Sequence, residues 1–522
     1  MKTLLINAKV RCSRNNYSES VGFDSDTGNI IFTGSGSEAE KIKKDFDEVT
    51  DCGGKLVMPA FHDGHCHFIE GAYISSLLDL RDASYRNDFR DGIREYRAAA
   101  DEGCIQGGFF AESNFKEEIN LSREFLDSIC DDIPVVISRF DTHAAFANSK
   151  ALELSGILSR ENDFTEEEII RRNGIITGEI KERAREFILS TLPKPTVQSR
   201  LKAALNIMKR FNSYGITSIS DITIVPDLEI YSLMLEKNSL LMNVDARLHF
   251  PEFYNIEKHK SKFEEYTELI NFRSFKAFYD GTLSSGTAYM HSDYKDIPGR
   301  GIRTEYVNSG EFEKTAFEID RAGYQISVHA IGDKAVTDLL DLNERLDSVN
   351  GKRDRRFRIE HAQHIREEDF DKFRDLNVIA SVQPAHLFSD ALTSSRMLQD
   401  PALEHNYDRL FKNGSRVCFG TDFPIVSENP FETIYFAVTR KADGFDNGFY
   451  PEKSILPDDC IDAYTINNAY ASFSEDQKGT IQNGKRADLI ILDQNIFEIS
   501  ADEIKDCSVN RTFFMGKEIY SA

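Results

Sequence analysis

The stretch Pro59-Ala60-Phe61-His62-Asp63-Gly64-His65-Cys66-His67 decides the fold. Alternate residues of a β-strand point to the same side, so His65 and His67 converge on one point, as two ligands of one metal must. Neutral imidazoles suit zinc, iron, nickel or copper. Cys66 lies between them and turns away. A pair of histidines at this spacing is a weak signal alone, because surface and hydrogen-bonded core histidines are common. It gains weight only from residues elsewhere in the chain.

Downstream lie apolar runs with strand character, several leading into helix-like segments: 216–220, 274–278, 325–329, 356–361, 378–382 and 416–420. Their repeated spacing predicts βα units and a parallel sheet. In a (β/α)8 barrel, chemistry sits at the C-terminal ends of the strands. The polar residues ending these runs are Asp221, Lys276, Asp280, His329, His361 and Asp422. Burying an uncompensated imidazole or carboxylate costs roughly several kcal/mol, so each needs a hydrogen-bond partner, an opposite charge or a metal.

Residues 1–58 and the segment from 478 to 522 contain short strands and turns. Leu4 to Val10 reads as a strand, as does Asn29 to Thr33, with a turn after it at Gly34-Ser35-Gly36. Near the other end, a turn at Asn483-Gly484 precedes a strand from Ala487 to Leu492. Neither end is apolar enough for its own core, so the two are expected to join as one small β-sandwich domain. Residues 59–477 then form the barrel. The region from about 75 to 205 breaks the βα rhythm of a barrel of ~250 residues, and reads as an insertion folded over the strand ends as a lid.

With 522 residues, 40% hydrophobic and 29% charged, the composition is that of a folded enzyme with more than one domain. The formal charge of −24 argues against nucleic-acid and membrane partners and says little about the substrate, which is expected to be a small molecule. The eight cysteines form no CxxC pair and no disulfide framework. No secretory signal or membrane span stands out, which makes the cytoplasm the expected location. The oligomeric state is left open, a homo-oligomer included.

Taken in order, these motifs resemble the amidohydrolase superfamily, in its amidohydrolase-3, YtcJ-like branch of metal-dependent hydrolases. The resemblance covers nearly the whole chain. It is carried by Pro59 to His67, Gly174 to Glu182, Phe275 to Gly281, Val328 to Asp333, Arg358 to Gln363, Gly420 to Pro424, Gly479 to Ile481 and Gly484 to Asp488. It implies one or two divalent ions, with Zn2+ the first expectation. His65, His67 and Asp422 would hold one metal and His329 and His361 the second. Lys276 resembles a lysine that many members carboxylate on Nζ to bridge two metals, since an ammonium has no lone pair to offer. Asp422 would also be the proton shuttle. His143, in the insertion, and His386, after the seventh strand, match family segments and are candidates to assist catalysis. Glu182 matches too, without an assignable role.

The chain departs from the family at Phe423, where tryptophan is common, and at Gly281 to Gly286, which lacks a customary arginine. His62 reads as a neighbour of the site, whereas His249, His259, His291, His364 and His405 carry no pattern. The expected activity is hydrolysis of a non-peptide C–N bond of amide, N-acyl or N-formyl type. A deaminase, which needs no carboxylated lysine, and a catalytically silent regulatory relative are the alternatives.

Overall fold

The computed structural model describes residues 1–99, 103–140 and 143–522. Two compact units emerge: residues 1–68 with 205–522, and residues 69–204.

The first unit is built on eight parallel strands, each hydrogen-bonded to the next in sequence order. They are β1 (Phe61–Cys66), β2 (Ile216–Thr223), β3 (Asn243–His249), β4 (Ile270–Phe278), β5 (Gln325–Ala330), β6 (Arg358–His361), β7 (Ile379–Val382) and β8 (Arg416–Phe419). The ring closes just beyond β8. There the Asp422 N–H donates to the His65 carbonyl at 2.7 Å and the His67 N–H to the Phe423 carbonyl at 2.8 Å. This is the expected (β/α)8 barrel.

One barrel strand is absent from the apolar runs. β3 alternates Asn243, Asp245, Arg247 and His249 with Val244, Ala246 and Leu248. Such alternation ordinarily marks a strand with one wet face. Here both faces are buried through Leu248, because the barrel interior is itself polar. Arg247 reaches across from β3 to Glu360 on β6 at 2.9 Å, and both side chains are fully buried. Arg358 and Ser327 also donate to Glu360, at 3.0 and 2.8 Å. The Arg247 and Arg358 guanidinium groups both donate to the Gly64 carbonyl at 2.9 Å. The opposite charges and hydrogen bonds offset the several kcal/mol, roughly, that burying each ion costs.

Beside the barrel, a four-stranded sheet contains Lys2–Ile6, Ser20–Asp24, Asn29–Gly34 and Glu48–Asp51. A six-stranded sheet joins Lys9–Ser13, Asn16–Ser18 and Leu56–Pro59 to Leu489–Leu492, Val509–Phe514 and Lys517–Ser521. Residues from both chain ends, among them Leu5, Val21, Phe23, Leu489, Ile491 and Phe513, share one core. Leu4 to Val10 is therefore two strands, not one. Asn7, in the left-handed region at φ 51°, breaks the run so that its halves enter different sheets. The expected turn at Ser35 starts a helix instead, with Ser35 and Glu38 forming a capping box.

Residues 69–204 carry their own six-stranded mixed sheet, running from Leu78–Asp79 at one edge to Ile169–Arg172 at the other. Two apolar clusters cover it, one around Phe89, Phe110 and Ile137 and the other around Val136, Leu152 and Ile180. All eight cysteines are free and buried. No helix among the described residues is long and apolar enough to cross a membrane.

Candidate metal centre

Two carboxylates organise the end of β1. Asp63 accepts from the backbone N–H groups of His65 and Thr421, both at 3.0 Å, and from the Thr421 hydroxyl at 2.5 Å. It thereby ties β1 to the segment after β8. Asp422 arrives beside the two histidines of the opening motif, with Oδ1 3.2 Å from His65 Nε2 and 3.3 Å from His67 Nε2. Burial would raise the Asp422 carboxyl, yet the facing histidines hold it well below its ordinary value. Burial likewise pulls His67 down, but Asp422 overcomes this and raises it.

The buried Glu360 accepts from His65 Nδ1 at 2.7 Å. This fixes the tautomer and leaves His65 Nε2 facing Asp422, the outer-shell arrangement of metal-ligating histidines. Burial opposes ionisation of Glu360, but Arg358 and Arg247 hold its carboxyl well below the usual range.

His361 and His329 come from β6 and β5. Their rings lie 4.5 Å apart, and the His361 ring lies 5.0 Å from that of His65. Burial is the first cause that lowers both imidazoles: with Lys276 adding to it, His329 falls to about 3, and His361 falls well below its ordinary value. His329 Nε2 donates to the Gly281 carbonyl at 3.0 Å, which makes Nδ1 its lone-pair nitrogen. His361 and Asp422 both sit in the left-handed region, at φ 71° and 59°. For a non-glycine residue that conformation costs on the order of 1–3 kcal/mol, so the surrounding fold must hold both residues there.

The arrangement fits a divalent ion. His65, His361 and Asp422 each offer one ligand atom, all within 4.8 Å of one another. His361 Nδ1 is buried without a hydrogen-bond partner, an expense that a metal bond would remove. Lys276, near the end of β4, is almost fully buried, and burial brings its amine down to about 8. Asp280 is not free to serve it as a counter-ion. It accepts from the backbone N–H groups of Tyr289, Ile331 and Gly332 at 2.8–3.0 Å, and burial raises it to about 7.

His386 approaches Asp422 from the loop after β7, with Nε2 3.7 Å from Oδ2 and no hydrogen-bond partner. Its ring stacks on that of His361 with centroids 6.1 Å apart. His143 belongs to the second unit, where its Nδ1 lies 3.1 Å from Glu182 Oε1, giving the two matched residues of that segment a common contact. Cys66 is buried, and burial raises its thiol well above the ordinary value.

Sequence patterns do not single out Glu360, Arg247 or Arg358, although Glu360 precedes His361 directly. Two of the histidines without a pattern share one carboxylate, while His259 meets Glu252 at 2.9 Å and His291 meets Thr337 at 3.1 Å. His364 Nε2 donates to Glu404 at 2.9 Å, and His405 contacts the same carboxylate. The fifth, His249, ends β3 in register with Lys276.

A closed parallel barrel with imidazoles and a carboxylate gathered at its C-terminal mouth defines the class of metal-dependent hydrolases. Comparison with known proteins is specific: residues 48–520 match the model of the amidohydrolase family, and the chain belongs to that family. Protein LONG AFTER FAR-RED 3 of Arabidopsis thaliana is 30% identical, over 94% of this chain and 87% of its own. N-substituted formamide deformylase of Arthrobacter pascens is 24% identical, over 98% and 97% of the two chains. An uncharacterized metal-dependent hydrolase from Pyrococcus furiosus superposes with a TM-score of 0.78 at 25% identity, covering 95% of this chain and 100% of the other.

Proposed function

We propose that this amidohydrolase-family hydrolase cleaves a non-peptide C–N bond, of N-formyl, N-acyl or related amide type, in a small cytoplasmic molecule. The observation that carries the reading is the convergence of His65, His361 and Asp422 on one point, with the buried His361 Nδ1 left unpartnered. The similarity to N-substituted formamide deformylase supports the choice of bond. His65, His67 and Asp422 would hold one ion, and His329 and His361 a second, with Lys276 as an Nζ-carboxylate between them; Zn2+ is the first candidate.

A divalent ion in this position supplies Lewis acidity for the scissile carbonyl and acidifies a bound water. The protein's own groups do the rest. Asp422, kept ionised by its histidines, takes a proton from the attacking water and delivers it to the leaving nitrogen. Glu360 holds His65 in one tautomer. His386, neutral through burial, orients the Asp422 carboxylate from its Oδ2 side. The buried lysine near the end of β4 favours this reading over deamination, which has no use for it.

The test is a metal analysis of untreated protein with a mass measurement of Lys276, then a panel of N-formyl and N-acyl amines scored for amine release. Stoichiometric metal and release of a primary amine are expected. Ammonia release from aminated heterocycles, with no amide cleaved, would replace the reading with deamination. Protein that retains no divalent metal after reloading would remove it.

A further inference from the structure

β4 ends on a residue that its surroundings do not explain. Phe278 is 37% exposed, although the side chains packed on it are mostly buried and polar. By strand alternation it shares a face with Lys276, two residues earlier. The Lys276 amine lies 4.7 Å from the ring centroid. The His329 ring lies 5.4 Å from it on one side, and the His249 ring 5.8 Å away, nearly edge-on at 72°, on the other. His249 ends the neighbouring strand in register with Lys276, so it meets Phe278 diagonally across the two strand ends.

A phenyl ring placed to fill a core would be covered. This one leaves over a third of its surface in water while touching two candidate metal ligands, Lys276 and His329. The rim elsewhere behaves similarly: Phe388, two residues past His386, is 51% exposed, and Ile425, three past Asp422, is 68% exposed. Single exposed apolar side chains are ordinary on a protein surface, so position and contacts must carry the argument. Of these residues, Phe278 is the one in ring contact with His329.

We propose that Phe278 and His249 form an aromatic wall beside the metal centre. It takes the substituent next to the scissile bond, and selects substrates whose substituent there is flat and unsaturated, such as an aryl group. The inference rests on the metal-centre reading above and supplies the substrate class that reading leaves open. A flat ring can stack on Phe278 with one face while His249 borders its edge. A saturated ring of the same size presents axial hydrogens and holds the faces apart.

Benzohydroxamate and cyclohexanecarbohydroxamate make a suitable pair of probes, sharing a metal-binding head and ring size and differing in flatness. Each is titrated calorimetrically into protein whose metal content has been measured. The wild type should bind the phenyl compound about tenfold more tightly, the scale of a good aromatic contact. Phe278→Ala should bring the ratio to within about twofold of unity. Phe278→Leu, which keeps bulk and loses the plane, should do the same, with metal content held in both. A metal-loaded wild type without the phenyl preference, or variants that keep it, would overturn the wall alone. A protein that holds no metal and binds neither probe would overturn the wall together with the reading beneath it.

Discussion

The two halves of the metal centre are assembled on different principles. At the junction of β1 and β8, a carboxylate faces two imidazoles, and every group has an opposite partner: Asp422 for His65 and His67, Glu360 for the far nitrogen of His65. That half holds its geometry by its own electrostatics. At β5 and β6 two neutral imidazoles press together, one with an unpartnered nitrogen and a left-handed backbone. Burial favours their neutral forms, and while His329 is held by the Gly281 carbonyl, the His361 Nδ1 has no partner within the protein. A candidate centre of this kind is preorganised on one side and leaves an unpartnered nitrogen on the other.

The largest effects should come from the first half. Asp422→Asn keeps the shape and an oxygen but no useful basicity. Turnover should fall by at least ~10²–10⁴-fold while most of the metal remains. His65→Ala removes a ligand, so metal and activity should fall together. Paired measurement of kcat and metal stoichiometry separates the two, and an Asp422→Asn enzyme with near-normal turnover would move the proton shuttle elsewhere.

Next comes the scaffold behind that half. Glu360→Gln leaves Arg247 and Arg358 buried without their shared carboxylate and frees the tautomer of His65. Breaking a buried ion pair this way costs about 3–5 kcal/mol, read as a lowered denaturant midpoint, and metal affinity should weaken with it. Unchanged stability would mean that Asp245, which lies 3.4 Å from Arg247, already suffices as counter-ion.

The same contrast explains how legible each half is in the sequence. The β1 histidines are two residues apart and announce themselves by strand periodicity, and Asp422 comes after an apolar run that only a buried strand explains. The fold is therefore readable from local spacing. Glu360 meets Arg247 across 113 residues, a pairing that exists only once the barrel has closed. β3 is hidden because its polar face points into the barrel rather than to water. The contact of His364 with Glu404, across 40 residues, is likewise made only by folding, whereas His405 meets Glu404 as its neighbour in the chain. The sandwich at the chain ends is legible from its strands and turns, but the break at Asn7 depends on a single residue's backbone conformation.

A smaller effect would sharpen the claim that His361 and His329 are neutral. His364, three residues beyond His361, has the opposite charge state. Burial lowers it, but Glu404 more than compensates and raises it to about 9 from 6.5. A folded-state value above the unfolded one adds stability that is fully present below pH 6.5 and is lost as pH rises through about 9. The loss is up to about 3 kcal/mol if the whole shift is realised. Unfolding free energies of the metal-loaded protein, measured between pH 6 and 10, should decline over that window, and His364→Gln should flatten the decline. A profile that is level in the wild type would place His364 with its neutral neighbours.

The smallest expected change is at His386, the residue that touches both halves. Its ring stacks on His361 and its unpartnered Nε2 looks toward Asp422. If it closes on that carboxylate during turnover, as catalytic hydrogen bonds often tighten only then, His386→Gln should lose about tenfold in kcat, roughly one net hydrogen bond to a charged group, without loss of metal. The sharper measurement is the double-mutant cycle. In an Asp422→Asn background there is no carboxylate left to orient, so adding His386→Gln should cost little further, and the two losses should fall short of multiplying. Losses that multiply in full would mean that His386 acts on the substrate directly, and the two halves would then have separate catalytic groups instead of one shared through Asp422.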